Sequence, residues 1–121
     1  MNINKAAEYI YSHSKGTSQG LCARYVANGL VNAGLKFNRQ PSAYLYNLEL
    51  PIRGFKKISL TKYSPVTGDI VVFDRNKFHP YGHIAMWTGK NWTSDFRQKN
   101  MNPYKNQASA GTATIWRYVN G

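Results

Sequence analysis

Residues 18–30 read SQGLCARYVANGL and hold the only cysteine of the 121-residue chain. Ser-Gln-Gly is a turn signal, and the apolar spacing that follows is helical. A helix from about Gln19 to Ala33, capped by Thr17 or Ser18 and stopped at Gly34, puts Cys22, Val26, Gly29 or Leu30, and Ala33 on its buried stripe. Cys22 then faces the core from within the first turn. Its thiol reads in two ways there. It is a small buried hydrophobe, or a nucleophile whose thiolate is favoured by the unpaired amides and dipole of a helix N-terminus. In the second reading the same amides hold a developing oxyanion.

Working outward, Ile3, Ala6, Ala7 and Ile10 recur at helical spacing and predict a first helix over residues 3–11, with Asn2 as cap. The stretch SHSKGTSQG ends it. Tyr44, Leu45 and Leu48 suggest a short middle helix closed by Pro51. From Thr67 onward the period becomes that of strands: GDIVVF, HIAMWTG, NWTSDF and finally ATIWRYV, punctuated by Gly68, Gly82 and Gly89. Helices first and an antiparallel sheet afterwards predict an α+β fold with the helices on one face of the sheet. Residues 97–111, RQKNMNPYKNQASAG, read as a loop.

The length predicts a single domain over residues 1–121, large enough to fold without staples. One cysteine makes no internal disulfide, and no zinc-type Cys/His spacing is present. Sixteen Lys+Arg against five Asp+Glu give a formal charge of +11. Such an excess implies a polyanionic partner: nucleic acid, an anionic membrane surface or the acidic polymers of a bacterial envelope. The first residues lack the apolar stretch of a secretory leader, so the chain is expected to be made in the cytoplasm without a signal peptide.

A cysteine nucleophile needs a base and a group that orients the base. His13 and His79 fall in polar loops. His83 opens a strand pattern in which it shares a face with Ala85 and Trp87, and a strand is the more rigid platform. Asp95 is the only acid near it. A three-residue loop, Thr88-Gly89-Lys90, puts Asp95 opposite His83, whereas a two-residue Gly89-Lys90 loop puts Phe96 there. Acid–base logic favours the first register, but the sequence leaves both open. Gln19 helps bind an oxyanion or merely closes its turn. A zinc site from Asp74, His79 and His83 is the metal alternative, disfavoured by Pro80 and Gly82. Asp69 reads as a turn residue at a strand start, and Trp87, Trp92 and Trp116 as core. Nine tyrosines and three tryptophans among many lysines also leave open a basic nucleic-acid-binding module without catalysis.

GLCARYVANGL, followed by TGDIVVFD and GHIAMWTGKNWTSDF, resembles the CHAP and NlpC-type cysteine peptidases and amidases that cut bacterial peptidoglycan. The likeness spans roughly residues 17–96 and lies in the order and spacing of Cys22, His83 and Asp95. It implies a papain-like fold and hydrolysis of an amide in the peptide stem or crosslink. Cys22 is then the nucleophile, His83 the acid–base and Asp95 the orienting residue, with no metal or organic cofactor and no nucleic acid. Histidine, asparagine or glutamate is common at the third position, where this chain has Asp95. The resemblance fits a monomeric phage endolysin or type VI effector acting in the periplasm or cell wall after lysis or export. Its basic surface would hold anionic envelope polymers, and an effector would have an immunity protein as partner.

Overall fold

The computed structural model of the chain describes residues 1–119. Helix α1 spans Ile3–His13 and α2 spans Cys22–Asn32; a four-residue α3, Tyr46–Glu49, lies between the 3-10 turns Ala43–Leu45 and Leu50–Arg53. Five strands follow: β1 (Phe55–Ile58), β2 (Ile70–Phe73), β3 (His83–Trp87), β4 (Trp92–Thr93) and β5 (Ala113–Tyr118). They form one antiparallel sheet in the order β1-β5-β2-β3-β4. The α+β class is as the periodicity indicates.

The two faces of the sheet are covered differently. Ile70, Val72, Ile84, Met86 and Trp116 meet Ala6, Ala7 and Ile10 of α1 and Val26, Ala27 and Leu30 of α2. Strand alternation turns Val71, Phe73, Ala85 and Ile115 the other way, where Trp92, Tyr63, Met101 and Ala110 cover them. One face therefore rests on helices and the other on Trp92 and loop residues. α1 and α2 pack closely because Gly29 leaves no side chain where Ile10 sits. Asn2 caps α1, its side-chain oxygen accepting from the amides of Asn4 and Lys5.

Five local expectations are corrected. Helix α2 starts at Cys22 rather than near Gln19, because Gly20 is left-handed at φ +70°. Neither Thr17 nor Ser18 caps it; Leu21 holds the cap position without a side-chain bond. Pro51 does not close the middle helix but enters the following 3-10 turn, where its missing N–H has no bond to lose, and Gly54 at φ +91° ends the segment. Residues 55–58 form an edge strand where no strand was expected, with Lys56 and Lys57 exposed along it. Finally, Trp87 pairs with Trp92, and Thr88 N–H bonds to Asn91 carbonyl, so the β3–β4 loop is the two-residue Gly89-Lys90 turn.

Asp69 does more than start a strand. Its carboxylate accepts from Val66 amide, from the Tyr63 hydroxyl at 2.6 Å and from two Arg117 nitrogens at 2.8 and 2.9 Å, tying β2 to β5. Those bonds hold the Asp69 carboxyl below the usual carboxylate range despite its burial.

Candidate active site

Cys22 is the first residue of α2 and is half-buried where that helix runs along β3. Backbone amides of Ile84, Ala23 and Cys22 itself face the thiol. Ile84 directly follows His83, so packing of α2 on β3 brings the thiol to the start of the strand that carries the histidine.

His83 is buried, 7% exposed, and its Nε2 lies 2.6 Å from Oε1 of Gln98. The amide of Gln98 is itself oriented, since its Nε2 donates to the carbonyls of Asn100 and Met101 at 3.0 and 3.1 Å. Oε1 therefore faces the imidazole and can only accept. His83 must carry its proton on Nε2, which leaves Nδ1 as the basic nitrogen. Tyr104 sets its ring edge-on to His83, with centroids 6.1 Å apart, and stacks flat on His79 at 3.5 Å. His79 also bonds Ser109 Oγ at 2.8 Å. The loop over residues 97–111 thus carries both Gln98 and Tyr104, and His79 helps pin it down.

Asp95 does not stand opposite His83. With the two-residue loop, the extended register brings Phe96 toward the imidazole, and their ring centroids are 6.5 Å apart. The Asp95 carboxylate turns instead to the entry of α2, where Oδ2 accepts from the amides of Gln19 at 2.7 Å and Leu21 at 2.9 Å. Oδ1 accepts from Ser94 Oγ at 3.0 Å. The carboxylate expected to orient the base thus anchors the turn that presents the nucleophile, and an amide takes the place against the imidazole. Asp95 still lies near enough to act on both groups through its charge.

Gln19 is exposed, and its side-chain amide folds back onto the Thr17 carbonyl at 3.0 Å, closing its own turn. His13 ends α1 and stacks on Tyr9. Among the described residues no three His, Cys, Asp or Glu side chains gather as metal ligands, so the Asp74–His79–His83 alternative has no site.

The electrostatics correct the expectation of a thiol acidified by the helix. Burial raises the Cys22 thiol above its ordinary value, and the nearby Asp95 charge adds to this; the three amides only partly offset them. Burial likewise lowers His83, against the opposing effects of Gln98 and Asp95. Without substrate both groups are therefore favoured in their neutral forms, a thiol and an imidazole.

Helices laid on one face of an antiparallel sheet, with a cysteine opening a helix and a histidine opening the neighbouring strand, define a papain-like fold. No protein-family model matches the sequence, and no curated protein matches it either. Among solved structures, the chain is similar to the crystal structure of the native type VI effector–immunity complex Tae3–Tai3 from Ralstonia pickettii. Identity is 31% over 98% of this chain and 99% of that one, with a TM-score of 0.88. The selenomethionine form of the same complex matches at 32% identity over 93% of this chain and 98% of that one, with a TM-score of 0.83. The chain belongs to the Tae3 family of type VI effectors.

Gln98 is the residue that sequence reasoning missed. It sits in a polar run with no periodicity, fifteen positions after His83. The only available signal was chemical: an amide side chain close in sequence to a strand-borne histidine.

Proposed function

We propose that this chain is a cysteine-dependent peptidoglycan amidase or endopeptidase, delivered by a type VI secretion system into the periplasm of a competing cell and neutralised in its producer by an immunity protein. The observation that carries the chemistry is the buried His83–Gln98 pair at the start of β3, the strand whose Ile84 amide faces the thiol of Cys22. Family membership supports the antibacterial setting and the immunity partner.

Cys22 Sγ attacks the amide carbonyl carbon as His83 Nδ1 takes the thiol proton. The C=O π pair moves onto oxygen, which the amides at the start of α2 stabilise. Collapse re-forms the carbonyl and breaks the C–N bond, with His83 giving its proton to the leaving amine. The thioester is then hydrolysed by water that His83 deprotonates, releasing the acid and restoring the thiol. Gln98 keeps the imidazole in one tautomer and orientation throughout.

The test is digestion of purified sacculi followed by mass spectrometry of the fragments. New amine and carboxyl termini should accumulate with the wild type and be absent with Cys22→Ser, whose alcohol is far less acidic. Undiminished clearance by that variant would end the cysteine mechanism.

A further inference from the structure

Beside the thiol, the first turn of α2 and the segment before α3 enclose a cavity of about 440 Å³. Cys22, Arg24, Arg39, Ser42, Tyr46 and Tyr81 contribute to its walls. Arg24 and Arg39 are both exposed. The ion pairs among the described residues are Arg53–Glu49 and Arg117–Asp69, so neither guanidinium of the cavity meets a protein carboxylate. Arg24 is also the third residue of a helix with no acid in its first turn, where a cation opposes the helix dipole. Two guanidinium groups without a carboxylate partner on the wall of one cavity are placed to take an anion from outside. A planar guanidinium matches a carboxylate in paired hydrogen bonds.

A second cavity of about 750 Å³ is lined by Gln98, Arg97, Lys99 and Tyr104 among others. In the thioester the acyl half is attached to Cys22. Cys22 lines the first cavity and not the second, which makes the first the one placed for the acyl half.

Building on the amidase reading above, we propose that this cavity is the acyl-side subsite and that Arg24 and Arg39 bind a free carboxylate within one residue of the scissile carbonyl. Stem peptides supply such groups, because residues linked through a side chain or at one end of a diamino acid keep a carboxylate free. The two arginines then select for an acidic acyl donor.

The experiment uses synthetic stem peptides in which each free carboxylate in turn is replaced by a carboxamide. One replacement should lower wild-type kcat/KM by roughly 10- to 100-fold, the range for losing a charged hydrogen-bonded pair. The Arg24→Gln/Arg39→Gln protein should lose a similar factor on the parent peptide and ignore that same replacement. Should the double variant not fold, each single substitution at these exposed positions carries the same expectation at smaller size. A wild type indifferent to every replacement, or arginine variants that still discriminate, would overturn the subsite. Calorimetric binding of the parent and amidated peptides to Cys22→Ala separates this from failure of the amidase reading. Discrimination in binding supports the subsite even where no peptide is cut, and equal affinity overturns it even where hydrolysis is intact.

Discussion

His83 Nε2 and Gln98 Oε1 are 2.6 Å apart, and both residues are buried. Because Gln98 uses its NH₂ on two backbone carbonyls, this contact has only one sense, with the imidazole donating. An amide in this place orients the base without adding a charge that would hold it protonated. Gln98→Ala should therefore lower kcat by roughly 10- to 100-fold with KM little changed, as loss of orientation affects the transition state more than binding. Gln98→Glu gives a readout that a purely structural role would not move. A carboxylate there stabilises the imidazolium, so the acid limb of the kcat/KM profile should shift to higher pH. An unmoved acid limb with full activity would remove Gln98 from the mechanism.

The second prediction concerns the resting state of the nucleophile. With Cys22 raised and His83 lowered, the thiol stays protonated at neutral pH. Alkylation by iodoacetamide should then be slow at pH 7 and climb continuously with pH, with its midpoint above the ordinary thiol value of 9.0. A thiolate–imidazolium pair would instead alkylate at a rate nearly level across the neutral range. A plateau of that kind, measured by mass spectrometry of the modified protein, would contradict the neutral pair.

Asp95 gives a contrasting expectation, because its bonds hold the chain entering α2 rather than the base. Asp95→Ala leaves the Gln19 and Leu21 amides without their acceptor and should cost about 2–4 kcal/mol of stability, at about 1–3 kcal/mol per unmet group discounted for partial exposure. Asp95→Asn keeps an acceptor oxygen and should lose less, while removing the charge that raises the thiol. Chemical denaturation and the alkylation profile together test this. If Asp95→Ala melts like the wild type but turns over orders of magnitude more slowly, the residue serves the base after all.

Much of the frame was legible in the chain. Ala6, Ala7 and Ile10 on α1, and Val26 and Leu30 on α2, are buried as their spacing requires, and GDIVVF and ATIWRYV contain central strands. Local pattern failed where a long-range contact replaces a local one. The chain entering α2 is anchored by a carboxylate 74 residues away at Leu21, so no capping side chain nearby marks the start of the helix. The β3–β4 register depended on a single loop residue, and acid–base logic favoured the wrong length because it assumed that the orienting group had to be an acid. Gln98 was hidden for a related reason. The loop over 97–111 is shaped by contacts such as Asn76 to the Ser109 carbonyl and His79 to Ser109, which leave no periodic trace.

The last prediction follows from keeping His83 neutral in the interior. Its folded value is lowered below the reference of 6.5, so the unfolded chain binds a proton more readily than the folded one. The sign is fixed by that difference. Stability from this residue is fully present above about pH 6.5, declines as the pH falls below it, and is lost once the folded value has been passed. The depressed carboxyls of Glu49 and Asp69 act in the same direction but further into acid, below their reference values of 4.5 and 3.8. The His83 contribution therefore begins to decline at a higher pH than the carboxyl contributions do. Thermal midpoints of the wild type should begin to fall as the pH drops below about 6.5, and fall further as the carboxyls protonate. His83→Gln has no group that titrates at that position, so it should lose the first decline and keep the second. The comparison between the two proteins rests on the slope and not on the midpoint at pH 7. An identical slope in both proteins over the upper window would mean that the buried imidazole accepts its proton without penalty, and the neutral resting pair would fall with it.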